Sequence, residues 1–382
     1  MTFTRYELTI PVELTSELHI GGVDAVPDRD GEGTVIRFCR NGLHEPTIPG
    51  RSIRGAVRAA CHVLWEERKL KDDPCGAFSE MNWKSLWGDD LTHREEDSRN
   101  DVLPVRRSAL TFHAVSFPEY KDSDSGESPL PRRHGVGIDR TTGAASDAAL
   151  YEHEFLPRGT GFTIRITADG RDGEKMEREH SDGIPGPATS DTVKKLLEFI
   201  VDVLTSGAVC LGGRTGSGQG AIQVIEPKLR RTGKTTDTGA LTAPADVLDA
   251  LIGPDPEGTP IPLKLGEWSL EEPARIKITW WSPTGIFVAE DEKLTKQRKE
   301  EAQKKDPTAN GVTEPLRDPS VPWDEAQLLI PGTSIRGALR SRASRIARTV
   351  LAARDELSAF ASHDLHEQIA AEPNLVRYMF GS

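Results

Sequence analysis

The sequence predicts an α+β fold of the ferredoxin-like class with enlarged loops, and three observations lead to this prediction. Segments with strand-like and helix-like hydrophobic patterns follow one another as strand, helix, strands, helix, strand, which is the split β-α-β-β-α-β pattern. The segment at 48–58 recurs almost unchanged at 330–340, so we expect a second copy of the unit's start. Hydrophobic residues make up 36% of the 382 residues, which is enough for globular cores.

Each element has its own signal in the sequence. Residues 1–20 alternate and are rich in β-branched residues, so we expect a strand, followed by a Gly/Asp-rich loop at 21–47. A helix is predicted from near Ser52 to about Lys69, because apolar residues recur there at helical spacing. The other expected elements are a strand within 102–117, a polar excursion at 118–150, two strands within 151–168, a helix at 190–204 capped by Ser190, and a glycine-rich loop running into a strand at 211–225.

The two copies of the repeated segment divide the chain into three parts. IPGRSIRGAVR at 48–58 and IPGTSIRGALR at 330–340 are identical at nine of eleven positions. We expect a complete domain at 1–225, a linker at 226–272, and the N-terminal half of a second domain at 273–382 with a charged insertion at 290–325. A half-domain would expose an apolar face, so we expect it to be a truncated piece or to be completed by another chain.

Composition limits the possible classes of function. The four cysteines, Cys39, Cys61, Cys75 and Cys210, form no CxxC pair, so neither a zinc ribbon nor a redox motif is predicted. No stretch reaches the roughly 18 apolar residues of a membrane helix and no signal peptide is visible, so we expect no membrane and a cytoplasmic location. The net charge of −12 argues against generic nucleic-acid binding, although clustered arginines still create a local positive field.

The repeated segment has the chemistry of a phosphate-binding helix start. Pro49-Gly50 predicts a turn and Ser52 an N-cap, so the free amides of the first helical turn would face outward with the positive end of the helix dipole. Two arginines at i, i+4 spacing share one face of the helix. The arginines of the first copy are Arg51, Arg54 and Arg58, and the second copy offers Ser334, Arg336 and Arg340. The alternative interpretation is a capped helix with solvated arginines.

A second motif is the glycine-rich loop at 212–220, which contains five glycines and Arg214. Glycines let the backbone approach a ligand and expose its amides. The loop lacks the GxxxxGK[ST] pattern and does not open a helix, so it does not predict ATP binding. We expect it either to hold a polynucleotide backbone or to be a tight structural loop.

Three motifs in this order resemble the RAMP superfamily. They are IPGRSIRGAVR followed by a helix and LWG, then HGVGIDRTTGAASDAALYEHEFLPRGTGF, then LGGRTGSGQGAIQV. The middle segment is similar to the Csm and Cmr backbone subunits of type III CRISPR complexes, which serve in antiviral defence. The resemblance covers 1–225 and, in part, 273–382.

The resemblance implies a modified ferredoxin or RRM-like domain that holds CRISPR RNA, pairs it with target RNA and assembles with other subunits of the effector complex. It implies a thumb hairpin that contains Ile138, Asp139 and Arg140. The residues expected to contact RNA are Arg51, Ser52, Arg54, Arg58, Gly213, Arg214, Gly216, Gly218, Ser334, Arg336 and Arg340.

Some relatives also cut target RNA through an Asp between the first strand and the IPG motif. In this chain the resemblance implies Asp30, then Asp28, then Asp24 as catalytic candidates, with a divalent metal such as Mg²⁺ as a conceivable helper. The alternative is that these acids only coat a loop. Two other functions remain open, a structural RAMP subunit without nuclease activity and an endoribonuclease that processes the guide precursor, for which His62 would be the candidate.

Overall fold

The computed structural model of the chain describes a large N-terminal part and several C-terminal segments. The described residues are 2–27, 34–70, 77–88, 108–123, 126, 128–139, 145–172, 188–236, 258–268, 277–279, 281–286, 288, 304, 315–317, 328–354 and 365–381.

Strands and helices alternate along the described part of the chain. In order they are β1 (Thr2–Leu14), β2 (Gly21–Pro27), β3 (Thr34–Phe38), β4 (Thr47–Ile48), α1 (Gly50–Glu67), α2 (Glu80–Trp87), β5 (Leu110–Phe112), β6 (Val115–Ser116), β7 (Arg132–Ile138), β8 (Ala145–Glu154), β9 (Gly161–Asp172), α3 (Ser190–Thr205), β10 (Ile222–Val224), β11 (Lys228–Thr236), β12 (Thr259–Ile261), α4 (Gly332–Ala352), α5 (Leu365–Ala370) and α6 (Asn374–Phe380).

The main sheet is built on both edges of β1. Its strand order is β12-β11-β1-β9-β5, every pairing is antiparallel, and β10 continues the β11 edge by pairing with the end of β1. Side chains of β1 alternate, so Leu8, Ile10 and Val12 are buried while Arg5 and Glu13 are exposed. One face of the sheet therefore belongs to the core and the other is polar.

Helices α1 and α3 cover the apolar face of this sheet. Their buried residues share one cluster with the strand residues Leu8, Ile164 and Phe112. The helix residues in this cluster include Ile53, Val57, Cys61, Trp65, Val193, Leu196, Leu197 and Ile200. The chain thus has a mixed α+β fold with antiparallel pairing in its main sheet, as the α+β prediction requires.

A second sheet lies beside the main one, with the strand order β2-β3-β8-β7. Strands β3 and β8 are parallel, and the other pairs are antiparallel. Its base is fixed by the buried Glu154, which accepts a hydrogen bond from the Phe38 amide at 3.0 Å and lies 2.9 Å from the guanidinium of Arg40. Arg40 also forms an ion pair with the buried Asp122.

Three expectations about individual elements differ from the structure. The supposed loop at 21–47 contains β2, β3 and the start of β4, and the supposed excursion at 118–150 contains β7 and the start of β8. Within the expected linker at 226–272, β11 and β12 belong to the main sheet. These segments are rich in glycine and charged residues, which locally indicate loops. They form strands because they pair with partners that lie far along the chain, and such pairing is not visible in the local sequence.

The expected N-caps were wrong by three residues at α1 and α4 and by one residue at α3. Helix α1 begins at Gly50 with Pro49 as its N-cap, and α4 begins at Gly332 with Pro331 as its N-cap, neither with a side-chain cap. Ser52 and Ser334 therefore lie inside the first turn. Proline fits there because its fixed φ suits a helix entry. Ser190 is the first residue of α3, and Thr189 is the cap that accepts the Thr192 amide.

Candidate nucleic-acid interface

The start of α1 and the glycine-rich loop meet in one groove. A cavity of about 410 Å³ is lined by Ser52 and Ala56 of α1 and by Gly212, Gly213 and Thr215 of the loop. Ile20, Gly21 and Cys210 complete its wall. The two motifs that the sequence singled out are about 160 positions apart in the chain, and folding brings them to the same surface.

Glycine is required at Gly212 by both conformation and space. Its φ is +76°, a region that L side chains rarely adopt, and a Cβ there would collide with the carbonyl oxygen of His19. Gly220, at the other end of the loop, has φ +81° and lies against the Leu211 carbonyl. The amide of Gly213 donates to the His19 carbonyl at 2.9 Å, so the loop is fastened to the segment that follows β1.

Arg214 places a positive charge beside this groove. It adopts a left-handed conformation with φ 59°, and its guanidinium donates to the Tyr151 hydroxyl at 3.2 Å. The guanidinium carbon lies 4.9 Å from the centre of the Tyr151 ring, a cation–π distance. The Tyr151 side chain of β8 therefore holds the Arg214 guanidinium in position, and Arg214 is only partly exposed.

The field of Arg214 reaches two buried histidines beneath the loop. Burial lowers the pKa of His153 to about 3, and the charge of Arg214 is the next cause. Burial likewise lowers the pKa of His19, and Arg214 adds to this effect. The rings lie 5.3 Å apart, and His19 Nδ1 is hydrogen-bonded to the Glu154 carbonyl at 2.6 Å. Both side chains are thus neutral supports of the loop at neutral pH.

Arg54 and Arg336 hold equivalent positions and make equivalent contacts. Arg54 Nη2 donates to the carbonyl of Trp87 at the end of α2, and Arg336 Nη2 donates to the carbonyl of Phe380 at the end of α6. Each arginine therefore ties its motif helix to the end of a following helix. Burial and the nearby charge of Arg58 lower the pKa of Arg54.

The remaining residues of the two motif copies differ in solvent exposure. Arg51 is exposed at the start of α1, and Arg58 is half-buried one turn beyond Arg54. In the second copy Ser334 is exposed, and Arg340 forms an ion pair with the buried Glu372 at 2.5 Å. The RNA contacts expected for these residues stay a prediction, and Arg51 is exposed while Ser52, Arg54 and Arg58 are half-buried.

The second motif contacts the glycine-rich loop of the first unit. Gly332 packs against the Ser217 carbonyl so closely that a Cβ would collide with it, and the Arg336 guanidinium lies 3.6 Å from where a Cβ of Gly216 would be. Gly218, with φ +84°, ends the short 3₁₀ turn Thr215–Ser217 between them. A cavity of about 160 Å³ beside this contact is lined by Gln219 and Thr333 among others.

Other expected site residues are only partly described. Ile138 is the last residue of β7 and pairs with Ala145, but its side chain and all of Arg140 lie outside the described residues. Asp139 is buried and accepts a hydrogen bond from Gln368 at 3.0 Å. This contact links the expected thumb to α5.

The acidic residues expected to be catalytic lie wholly or partly outside the described residues. Asp28 and Asp30 lie outside the described residues, and Asp24 lies on β2 without a described side chain. Within the described ranges no group of three potential metal-ligating side chains occurs. His62 is exposed, stacks on Trp65 at 5.3 Å and lies 3.8 Å from Glu66.

Sequence reasoning missed the polar residues that support the loop from below. Gln219 Nε2 lies 3.4 Å from both Glu17 Oε2 and His153 Nε2. Glu17 also accepts a hydrogen bond from Arg133. These four residues come from distant segments, so no spacing in the sequence could have identified them; only Tyr151 and His153, alternating on β8, offered a local signal.

The comparisons with known proteins concern the family to which the chain belongs. No helix within the described ranges combines the length and apolar character needed to cross a membrane. A search of curated proteins found no match. The family model of the RAMP superfamily matches residues 12–223, more than half of the chain, and the match runs from the end of β1 through both motifs of the groove into β10. The chain belongs to the RAMP superfamily.

Proposed function

We propose that this chain binds CRISPR guide RNA as a subunit of a type III interference complex in antiviral defence. RAMP proteins work with RNA in CRISPR effector complexes. The observation that carries the proposal is the groove in which the start of α1 and the glycine-rich loop converge. Target RNA and further subunits of the complex would be the other partners.

The groove has the features that a polynucleotide backbone needs. Ser52 and Ala56 of α1 line one wall, and a helix start favours phosphate. Gly212 and Gly213 line the other wall and leave backbone surface uncovered by side chains. Arg214 and the exposed Arg51 add charge at this place in a chain whose net charge is −12. The local field would therefore direct an anion to the groove.

We also propose that the second motif marks a second RAMP unit. The identity of nine residues in eleven, the paired contacts of Arg54 and Arg336, and the prolines that precede both helices support a duplication. The order β10/β11-β1-β9-β5 is the one a split β-α-β-β-α-β unit adopts, which supports a ferredoxin-like first unit.

Fluorescence anisotropy with single-stranded RNA of guide length tests the RNA-binding proposal. The double variant Arg51→Ala/Arg214→Ala should bind at least about tenfold more weakly at low salt, with the slope of log K against log salt smaller by about one per lost phosphate contact. Arg171→Ala on β9, exposed and away from the groove, is the matched control. Equal affinity and slope for the double variant and the wild type would contradict RNA binding in this groove.

Target-RNA cleavage is an extension of this proposal that depends on Asp30, Asp28 or Asp24. A carboxylate near a paired target could orient the attacking 2′-hydroxyl. Single Asp→Asn variants should separate the three, because one of them should abolish cuts on a guide-paired target while guide binding stays unchanged. Cutting that persists in the triple variant would exclude these acids.

A second candidate function is a structural RAMP subunit that contacts little RNA. It is favoured by the internal contacts of Arg54, Arg336 and Arg340, which are taken up by Trp87, Phe380 and Glu372. Chain purified from its own cells would then carry no RNA of guide length, whereas the guide-binding proposal requires such RNA.

A further inference from the structure

Helix α4 exposes a continuous apolar stripe. Ile335, Leu339, Ile346 and Val350 follow one another at intervals of four, seven and four, so they lie on one face of this 21-residue helix. Ile335 is 45% and Leu339 54% exposed, and the other two are similarly open. A contiguous exposed apolar stripe is typical of a protein-interaction surface.

The same positions are fully covered in the first unit. When the two motif copies are aligned, Ile335 corresponds to Ile53 and Leu339 to Val57, and both first-unit residues are 0% exposed. They are covered by a cluster that includes sheet residues such as Phe112. Farther along, Met379 is 65% exposed where its counterpart Leu86 is 0% exposed.

The difference lies in what covers the helices and not in the helices themselves. Both motif helices start after a proline with nearly the same backbone, φ −61° and ψ 137° at Pro49 against φ −60° and ψ 140° at Pro331. The helices that follow also end alike, since Gly88 has φ 79° and ψ 171° and Gly381 has φ 76° and ψ 166°. Within the described residues, the second helix pair thus has the shape of the first while its apolar stripe stays exposed.

We propose that the α4 stripe is the docking surface for the apolar face of an antiparallel β-sheet carried by another protein subunit. In the first unit this kind of sheet, with apolar residues at alternate positions of its strands, covers the equivalent residues. Arg342 and Arg345 are exposed beside the stripe, α4 contains no acidic residue, and within the described ranges neither arginine has an ion-pair partner. The docked sheet therefore carries carboxylates at its rim.

In the part of the chain that the structure describes, the main sheet of a second copy does not offer such a face. The apolar face of its main sheet is already buried under α1 and α3. The opposite face carries Arg5, Glu7 and Arg165, which are at least partly exposed and charged. The occupant is therefore a different protein, and RNA plays no part in this interface.

Photo-crosslinking identifies the occupant. The full chain, with p-benzoylphenylalanine in place of Leu339, is isolated with its bound subunits and irradiated. Crosslinks should fall on alternate residues of extended segments in a different protein. Crosslinks only to this chain or to RNA, or none at all, would overturn the proposal. The same probe at Ala352, exposed on α4 about 130° around the helix axis from the stripe, is the matched control and should give at least tenfold fewer of these crosslinks.

Introducing negative charge into the stripe separates docking from folding. In the double variant Leu339→Glu/Ile346→Glu the isolated chain should keep its unfolding midpoint, because both side chains already face water, while recovery of the crosslinked subunit should fall at least tenfold. Val57→Glu, at the covered position of the first unit, should lower the midpoint instead. Undiminished recovery with the double variant, or a midpoint lowered as far as by Val57→Glu, would contradict the proposal, the latter because the chain itself would then cover the stripe.

Discussion

The guanidinium of Arg54 donates a hydrogen bond to the backbone carbonyl of Trp87, so the arginine in the middle of the repeated motif closes the end of the next helix. A cation is well placed there because the last carbonyls of a helix lack partners within it and carry partial negative charge. The repeat of this contact between Arg336 and Phe380 explains why the motif retains an arginine at this position in both copies.

Replacing Arg54 should therefore reduce stability. Arg54→Ala removes a charged donor from the carbonyl of the buried Trp87, and we expect the free energy of unfolding to fall by about 2 kcal/mol. Denaturant unfolding measures the change, and Arg51→Ala, at an exposed neighbour, should leave the midpoint unchanged. A midpoint for Arg54→Ala equal to that of the wild type would mean that the carbonyl contact contributes nothing.

The glycine loop offers a matched pair of alanine substitutions. Gly212→Ala places a Cβ at φ +76° against the His19 carbonyl, so we expect a loss of at least ~2 kcal/mol and weaker RNA binding. Gly213→Ala meets its nearest atom at 3.9 Å and should be tolerated in stability. Similar losses in the two variants would show that the loop does not depend on its left-handed glycine.

The charge of Arg214 should change the pKa values of the two histidines below the loop. Arg214→Gln removes a positive charge, so the pKa values of His153 and His19 should both rise, and that of His153 should stay below 6.5 because burial is its largest cause. Histidine NMR titrations of the wild type and the variant give the comparison. A fall in either pKa would contradict the position assigned to Arg214.

His153 should make the fold acid-sensitive. Its pKa is about 3 in the folded chain against an ordinary 6.5, so below pH 6.5 the unfolded chain binds a proton that the folded chain does not. Stability that is complete above pH 6.5 is then lost as the pH falls towards 3. His153→Gln should flatten this dependence in urea titrations between pH 7 and pH 5, and an unchanged slope would show that His153 is not its source.

The ion pair of Arg340 should hold α4 against the segment before α6. Glu372 is fully buried and Arg340 nearly so, and Glu372→Gln leaves a buried cation without its counter-charge, at a cost of about 3 kcal/mol. Hydrogen exchange of residues 332–352 should accelerate, while exchange in α1 stays the same. Unchanged protection of α4 would show that other contacts fix this helix.

Local patterns in the sequence predicted what depends on local structure. The apolar spacing located α1 and α3 to within about two residues, and the alternation located β1 and β9 with ends that differ by up to about six residues, because side-chain direction follows from period alone. The glycine loop and the α1 start were also identified, since proline and glycine fix backbone geometry locally.

What the sequence could not reveal depends on partners that are distant in the chain. The second sheet stayed hidden because β3 pairs with β8 across more than a hundred residues. The partners of Arg54 and Arg214, Trp87 and Tyr151, follow no fixed spacing. An arginine beside a helix start was therefore expected to face a phosphate, although in the folded chain a carbonyl was within its reach.

The pairing of β1 also constrains how the protein is made. Thr2 pairs with Asp172 on one edge and with Thr236 on the other, so β1 is synthesised well before both of the strands that flank it in the sheet. Until they emerge, its apolar side chains have no sheet to join. Synthesis of the first unit therefore passes through a long interval in which this strand lacks both neighbours and is exposed to aggregation.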